Sequence, residues 1–246
     1  MQYARNFDIA RRFGARANDY ERHADLQRSV ADRLALLLPQ LEVPRVLELG
    51  CGTGLLSRHL IAQYPDGNLV FTDLAPAMLD QCRLNLGVQP RGRARFIQMD
   101  GSKPDTSLGA FDLIASSMAL HWLSDPVAGL DTLRSLLAPH GVLLFAALGP
   151  ESFTEWRSVL EAEGLPNGVI TTPPLPGIVA EERTIVDDST LRFLRRMKRV
   201  GGTTPRESYT KLSAGQLRRA IRSADAKTGG RITWHIVYGR LDALSV

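Results

Sequence analysis

Apolar positions along the chain fall into two periods, one helical and one of short continuous runs, and the switch between them predicts the order of elements. From Phe7 to Pro39 the period is helical: Phe13, Ala17 and Tyr20 share one face, and Leu26, Val30, Leu34, Leu37 and Leu38 share another, so two helices should precede the first strand. Arg45–Leu49, Asn68–Asp73, Arg95–Gln98, Phe111–Ser116 and Val142–Leu148 are short apolar runs of the kind that form buried parallel strands. Between them lie helical stretches at Leu55–Gln63, Met78–Leu86 and Leu130–Leu137, the last followed by a turn at Pro139-His140-Gly141. This alternation predicts one doubly wound α/β sheet. Beyond Gly149 the pattern loosens. Glu151–Glu163 is expected to be a helix, and Leu165–Ile178, with Pro166, Pro173, Pro174 and Pro176, a loop or mobile flap. Glu182–Val186 could be a sixth strand. Asp188 or Ser189 can cap a helix running to Val200, Ser213 or its neighbour another through Ala224, and Ile232, Trp234, Ile236 and Tyr238 alternate as a last strand.

The first strand runs into Glu48-Leu49-Gly50-Cys51-Gly52-Thr53-Gly54. An acid followed by Gly-x-Gly-x-Gly describes a strand that turns sharply beneath a nucleotide-like ligand, since Gly50, Gly52 and Gly54 tolerate positive φ and carry no Cβ. A dinucleotide site would place its third glycine one residue later, where this chain has Leu55. The observed spacing resembles the S-adenosylmethionine loop of class I methyltransferases, and so implies a Rossmann-like sheet and an adenosine that carries a sulfonium. Asp73 ends the second strand about 20 residues on, where an acid meets ribose hydroxyls. Asp100 ends the third, placed as that pattern places an acceptor for the adenine amino group. Cys51, Leu74, Met78, Gly101, Ser116 and Ser117 flank these strand ends and complete the expected cofactor site.

Length and charge narrow the picture further. The 246 residues suit one domain, divided here into an N-terminal helical part (1–40), a cofactor-binding core (41–150) and a substrate-side part of the same sheet (151–246). No run of about 18 apolar residues and no signal-peptide pattern occurs, so a cytoplasmic protein without membrane attachment is expected. The two cysteines, Cys51 and Cys82, form no metal-binding cluster, and no metal is expected. Ser116 and Ser117 lack a nucleophile elbow, which argues against a hydrolase triad. His121, just past the fourth strand, can contact substrate, act as a base or simply pack at the cavity mouth. A net charge of +4 is mild for a nucleic-acid binder. The arginines are nevertheless clustered: Arg192, Arg195, Arg196 and Arg199 share one helix face and Arg218, Arg219 and Arg222 another. Such faces are solvated surface, a docking site for an acidic partner, or a clamp on a carboxylate. Nucleic acid is disfavoured, because no stacking aromatics are interleaved with them.

Phe13-Gly14-Ala15-Arg16-Ala17 with Tyr20-Glu21-Arg22-His23-Ala24-Asp25-Leu26-Gln27, the stretch Phe111–Trp122, Leu148-Gly149-Pro150-Glu151-Ser152-Phe153, the helix with Arg195, Met197, Lys198 and Gly201, and the closing Thr233–Gly239 together resemble the malonyl-acyl carrier protein O-methyltransferases of biotin synthesis, the BioC family. The resemblance spans nearly the whole chain. It implies a seven-stranded class I sheet with helices on both faces and an N-terminal helical lid. The implied reaction is methylation of the free carboxylate of a malonyl thioester on acyl carrier protein, an acidic partner, which masks the charge so that the product can enter fatty-acid elongation. A carboxylate is ionised at neutral pH and needs a cation to orient it rather than a base. Arg195 and Lys198 are the expected cations, Arg157 the next, and Tyr20 would close the lid over cofactor and substrate. The family has an additional helix between its fifth and sixth strands where this chain has the proline-rich Leu165–Ile178, so its substrate lid should be built differently. Two other readings are open: a methyltransferase for small di- or tricarboxylic acids, and a cofactor-binding assembly or regulatory protein without methyl transfer.

Overall fold

The computed structural model describes residues 2–87, 93–202 and 209–244. Seven strands form one sheet in the order β3-β2-β1-β4-β5-β7-β6: β1 (Arg45–Leu49), β2 (Asn68–Asp73), β3 (Ala94–Gln98), β4 (Phe111–Ser117), β5 (Leu137–Leu148), β6 (Ile178–Asp188) and β7 (Arg231–Asp242). The first five are parallel, while β7 inserts antiparallel between β5 and β6. This is the Rossmann-like sheet of class I methyltransferases. The chain reverses direction across the sheet between β1 and β4, and the crevice at the carboxyl ends of those two strands is where an open α/β sheet takes its ligand.

Period-two alternation splits the core into two layers. Val46, Phe71, Leu113, Leu144 and Trp234 face one side, under α2 (Asp25–Ala35), α3 (Ser57–Gln63), α6 (Thr154–Ala162), α7 (Thr190–Arg199) and α8 (Ala214–Thr228). Leu47, Val70, Ile114, Leu143 and Phe145 face the other, under α5 (Pro126–Arg134) and the 3-10 turns at Thr106–Leu108 and Leu120–Trp122. The edge strand β3 is only partly buried; Arg83 of α4 (Pro76–Asn85) lies 4.9 Å over the Phe96 ring.

Local chemistry moves several boundaries from where periodicity alone puts them. The helix expected at Leu130–Leu137 begins at Pro126, because Asp125 accepts from the Val127 and Ala128 amides and proline suits the first helical position. Pro139-His140-Gly141 is not a turn between elements but lies in a bulge within β5, where Phe111 pairs with Leu137 and Leu113 already pairs with Val142. The amino end of α7 is not capped by Asp188 or Ser189; the Thr190 amide donates instead to Asp225 of α8, a partner distant in sequence. At α8 the expected Ser213 cap is present as a reciprocal capping box with Gln216, and the helix runs on to Thr228 before Gly229 ends it. Strands β6 and β7 are longer than the predicted segments, because each supplies the other's backbone partners over nine register positions. The proline-rich stretch contains no helix or strand before β6, yet Leu165, Thr172 and Leu175 are buried, so it is packed wall rather than free flap.

The N-terminal part consists of α1 (Gln2–Gly14) and a 3-10 segment (Ala17–His23), followed by α2. The helix breaks at Ala15-Arg16, but Phe13, Ala17 and Tyr20 still meet, packed with Ala75 and Met78 over the β2–α4 junction.

Candidate active site

Two adjoining cavities open at the carboxyl ends of β1, β2 and β4. The first, about 130 Å³, is lined by Glu48, Gly50, Cys51, Gly52, Asp73, Leu74, Met78, Asp100, Gly101 and Ser117, ten of the twelve residues expected to hold the cofactor. Gly54 and Ser116 stand outside it. Gly54, at φ +97°, would place a Cβ 3.2 Å from the Cys82 sulfur, so its freedom serves the packing of α4. The Ser116 hydroxyl is buried and donates to the Leu49 carbonyl at 3.1 Å, tying β4 to β1. Gly50 (φ +70°) is constrained differently: a Cβ there would lie 2.4 Å from that of Ala119, so the loop can pass only if this residue is glycine.

Three carboxylates and no Lys or Arg line this cavity among the described residues. Asp73 accepts from the Gly52 amide at 2.9 Å and the Ala75 amide at 2.8 Å, which fixes its carboxylate across the glycine loop. Burial raises its pKa even against those bonds. Glu48 is 1% exposed and accepts a 2.5 Å hydrogen bond from Ser57. Desolvation is the main cause that pushes its pKa up to about 8; Ser57 opposes the rise and Asp73 adds to it. Asp100 receives the Ser102 amide on one oxygen and the Asn6 side-chain amide, at 2.7 Å, on the other.

The α1 segment lies across the opening. Arg5 donates to the Trp122 carbonyl at 2.9 Å, and Phe13 packs edge-on against Trp122 with ring centroids 5.2 Å apart. Glu21 fastens the 3-10 segment: one of its oxygens accepts from Arg58 at 2.7 Å, Asn85 at 3.0 Å and Thr53 at 3.1 Å, and Arg28 lies 3.6 Å from the other. The N-terminal 3-10 segment is therefore anchored to the glycine loop, α3 and α4 through one carboxylate.

The second cavity, about 380 Å³, is mainly apolar, with Phe153, Trp156, Phe193, Met197 and Trp234 in its walls and Gly168, Val169 and Ile170 of the proline-rich stretch closing one side. Phe13, Tyr20, Gln27, Met118 and Trp122 line both cavities and form the window between them. Met118 takes φ +58°, a strained conformation for a non-glycine residue, at this window. Tyr20 is partly buried in the window, and burial together with the nearby Asp73 and Glu21 raises its pKa, so it stays a neutral phenol.

The basic residues are arranged otherwise than the sequence suggests. Arg195 and Lys198 are exposed and line neither cavity, because α7 turns Phe193, Leu194, Met197 and Val200 inward and those two lie on the opposite arc. Arg157 bonds locally to the Pro150 carbonyl and to Thr154. The basic side chain that lines the second cavity among the described residues is Lys211. His121 lines the second cavity and not the first; it is buried, its Nδ1 has no partner among the described residues, and desolvation, with Arg5 nearby, lowers its pKa to about 3, so it is neutral. Sequence reasoning did not single out Gln27, Met118 or Lys211. Gln27 left a signal: it is a polar residue within the buried stripe of Leu26, Val30, Ala31 and Leu34.

Among the described residues no helix is long and apolar enough to cross a membrane. A family model described as a methyltransferase domain matches residues 47–143. A malonyl-[acyl-carrier protein] O-methyltransferase from Magnetococcus marinus is 40% identical over 96% of this chain and 92% of its own length. A biotin biosynthesis bifunctional protein BioCD from Bordetella avium is 39% identical over 94% of this chain, which spans 51% of that longer protein. The solved N-methyltransferase NodS from Bradyrhizobium japonicum, in complex with S-adenosylhomocysteine, shares the fold at 16% identity, with a TM-score of 0.55 over 97% of this chain and 100% of its own. An acid-lined strand-end cavity under a glycine loop, and a near-full-length relative at 40% identity, lead to one conclusion: the chain is an S-adenosylmethionine-dependent methyltransferase and belongs to the malonyl-acyl carrier protein O-methyltransferase family.

Proposed function

We propose that this enzyme methylates the free carboxylate of malonyl-acyl carrier protein in biotin synthesis, in the cytoplasm. The observation that carries the reading is the direct joining of the two cavities through the Phe13-Tyr20-Gln27-Met118-Trp122 window, in a chain whose near-full-length relatives carry that activity in their names. The first cavity would hold the cofactor: Asp73 at the ribose hydroxyls, Asp100 at the adenine amino group, and Glu48 as counter-charge to the cationic portion. The fit rests on the donor set, three carboxylates with no competing Lys or Arg among the described residues, and on the glycine backbone of the loop.

When bound, the cofactor would supply a methyl group to a carboxylate oxygen that is already ionised at neutral pH, so the protein need provide no base. The protein's part is to align the acceptor and exclude water. The window is walled by Phe13, Met118 and Trp122, and the lid anchored by Glu21 closes it. His121, held neutral by burial, is not needed as a base. The exposed cations of α7 are the groups that would meet the acidic carrier protein, with Lys211 at the second cavity.

The test is methyl transfer with malonyl and acetyl carrier protein as parallel substrates. Labelling of the malonyl form alone supports the reading; labelling of neither, or of both equally, sinks the carboxylate assignment, and activity on free dicarboxylic acids without carrier would replace it with small-molecule methylation.

A further inference from the structure

The window between the cavities lacks the arginine that carboxylate binding ordinarily suggests. No Lys or Arg lines the first cavity among the described residues, and Lys211 is the one that lines the second. What the window does contain is Gln27, 9% exposed, on the inward face of α2, and Tyr20 on the lid. Neither side chain has a hydrogen-bond partner among the described residues, and the polar ends of both are open to the cavities they line. A primary amide that opens onto both cavities without a protein partner offers two N–H donors and a carbonyl to whatever fills them, so Gln27 is placed to meet a ligand. The other three residues of the window present two aromatic rings and a thioether.

Electrostatics explains why the donors are neutral. A fixed cation at the window would repel the cationic cofactor in a low-dielectric site and would draw electron density from the carboxylate oxygen that must attack. An amide and a phenol do neither. They can hold one carboxylate oxygen and leave the other toward the methyl group, while the bound cofactor itself provides the positive charge. The raised pKa of Tyr20 agrees with its service as a donor and not as a second anion.

We propose that Gln27, with Tyr20 as its neighbour, is the residue that binds and orients the acceptor carboxylate, and that this enzyme selects an acid over an ester or a methyl-terminated acyl chain through these uncharged donors. The inference rests on the proposed acceptor. It makes Gln27 a catalytic residue by contact with substrate and leaves Arg195 and Lys198 to the protein surface.

The experiment measures steady-state methyl transfer to malonyl carrier protein by the wild type, Gln27→Glu and Gln27→Met, together with cofactor affinity by calorimetry and affinity for the carrier-linked methyl ester product. Gln27→Glu should lower kcat/KM on the order of 100-fold, through loss of the N–H donors and repulsion of the acceptor, and Gln27→Met roughly 10-fold. Cofactor affinity should stay within about threefold in Gln27→Met and should not weaken in Gln27→Glu, whose added anion faces the cationic cofactor, and ester affinity of Gln27→Met should be unchanged, since the ester has no charged carboxylate to hold. If Gln27→Glu fails to unfold cooperatively, Gln27→Met, apolar and similar in volume, carries the test. Wild-type kcat/KM in both variants, or a parallel fall in acid and ester affinity, overturns the inference while the proposed function stands. A wild type that binds cofactor but leaves malonyl carrier protein unmethylated overturns both.

Discussion

Replacing Glu48 by Gln isolates the electrostatic cost built into the cofactor cavity. The carboxyl group is 1% exposed, and its pKa in the folded protein is about 8, against 4.5 for an unperturbed glutamate. That difference amounts to about 5 kcal/mol of preference for the protonated form. Because the folded pKa is the higher one, its contribution to stability is fully present below pH 4.5 and is lost as pH rises through about 8. Between those limits the unfolded chain has released a proton that the folded chain retains, so the wild type should lose about 1.4 kcal/mol per pH unit from this group alone. Glutamine keeps the shape and, through its amide oxygen, can still accept from the Ser57 hydroxyl, but it does not titrate. Urea unfolding of both proteins without cofactor, at intervals from pH 5 to 8.5, gives two stability curves whose difference removes every other titrating group. The variant should gain on the wild type with each step in pH and level off above pH 8. Parallel curves would refute the assignment of a protonated, desolvated Glu48, and a difference of opposite slope would mean that the carboxylate is stabilised in the fold.

The same residue predicts that cofactor binding at pH 7 releases a proton, close to one per site, if the bound cation restores Glu48 to its charged form; calorimetry in buffers of different ionisation enthalpy should show this in the wild type and lose it in Glu48→Gln. Gly50→Ala should cost about 2 kcal/mol or more and weaken cofactor binding, because its Cβ would sit 2.4 Å from Ala119 at φ +70°, and wild-type stability in that variant would show that the loop relaxes freely. Glu21→Ala should speed cofactor dissociation about 10-fold by freeing the lid from Arg58, Thr53 and Asn85, read by stopped-flow fluorescence; an unchanged rate would mean the lid is held by α1 alone. Charge reversal at the exposed Arg195 and Lys198 should raise KM for the carrier-linked substrate in a salt-dependent way and leave kcat nearly unchanged, whereas a collapse of kcat would return these residues to the substrate carboxylate.

The glycine loop and the acids at successive strand ends were legible because their chemistry is local. Gly50 and Gly52 are set by backbone torsion, and Asp73 and Asp100 reach the cavity simply by ending parallel strands, so order along the chain suffices to place them. The same holds for β1, β2, β4 and the Val142–Leu148 part of β5, whose apolar runs are buried on both faces, and for the Ser213 cap. Gly54 and Ser116 show where the rule fails: both sit within the expected motifs, but one faces Cys82 and the other bonds Leu49, partners that only the packed sheet brings near.

What the sequence determined by itself was the succession of strands and helices, the acids at the strand ends and, through its motifs, the cofactor; the order of strands in the sheet came from the folded structure. The tertiary structure alone also decided the acceptor side. A stripe of arginines looks alike whether it faces water or substrate, and the outcome for Arg195 and Lys198 depended on which arc of α7 the Phe153–Trp234 cluster needed to bury. Gln27 became visible as a binding group for the complementary reason: its helix packs its apolar neighbours against the sheet, and the lid, β4 and α7 leave its amide between two cavities. Local patterns fix which groups end a strand or cap a helix, because those depend on neighbours in sequence; which polar group comes to face a cavity depends on surfaces that meet only when the chain is folded.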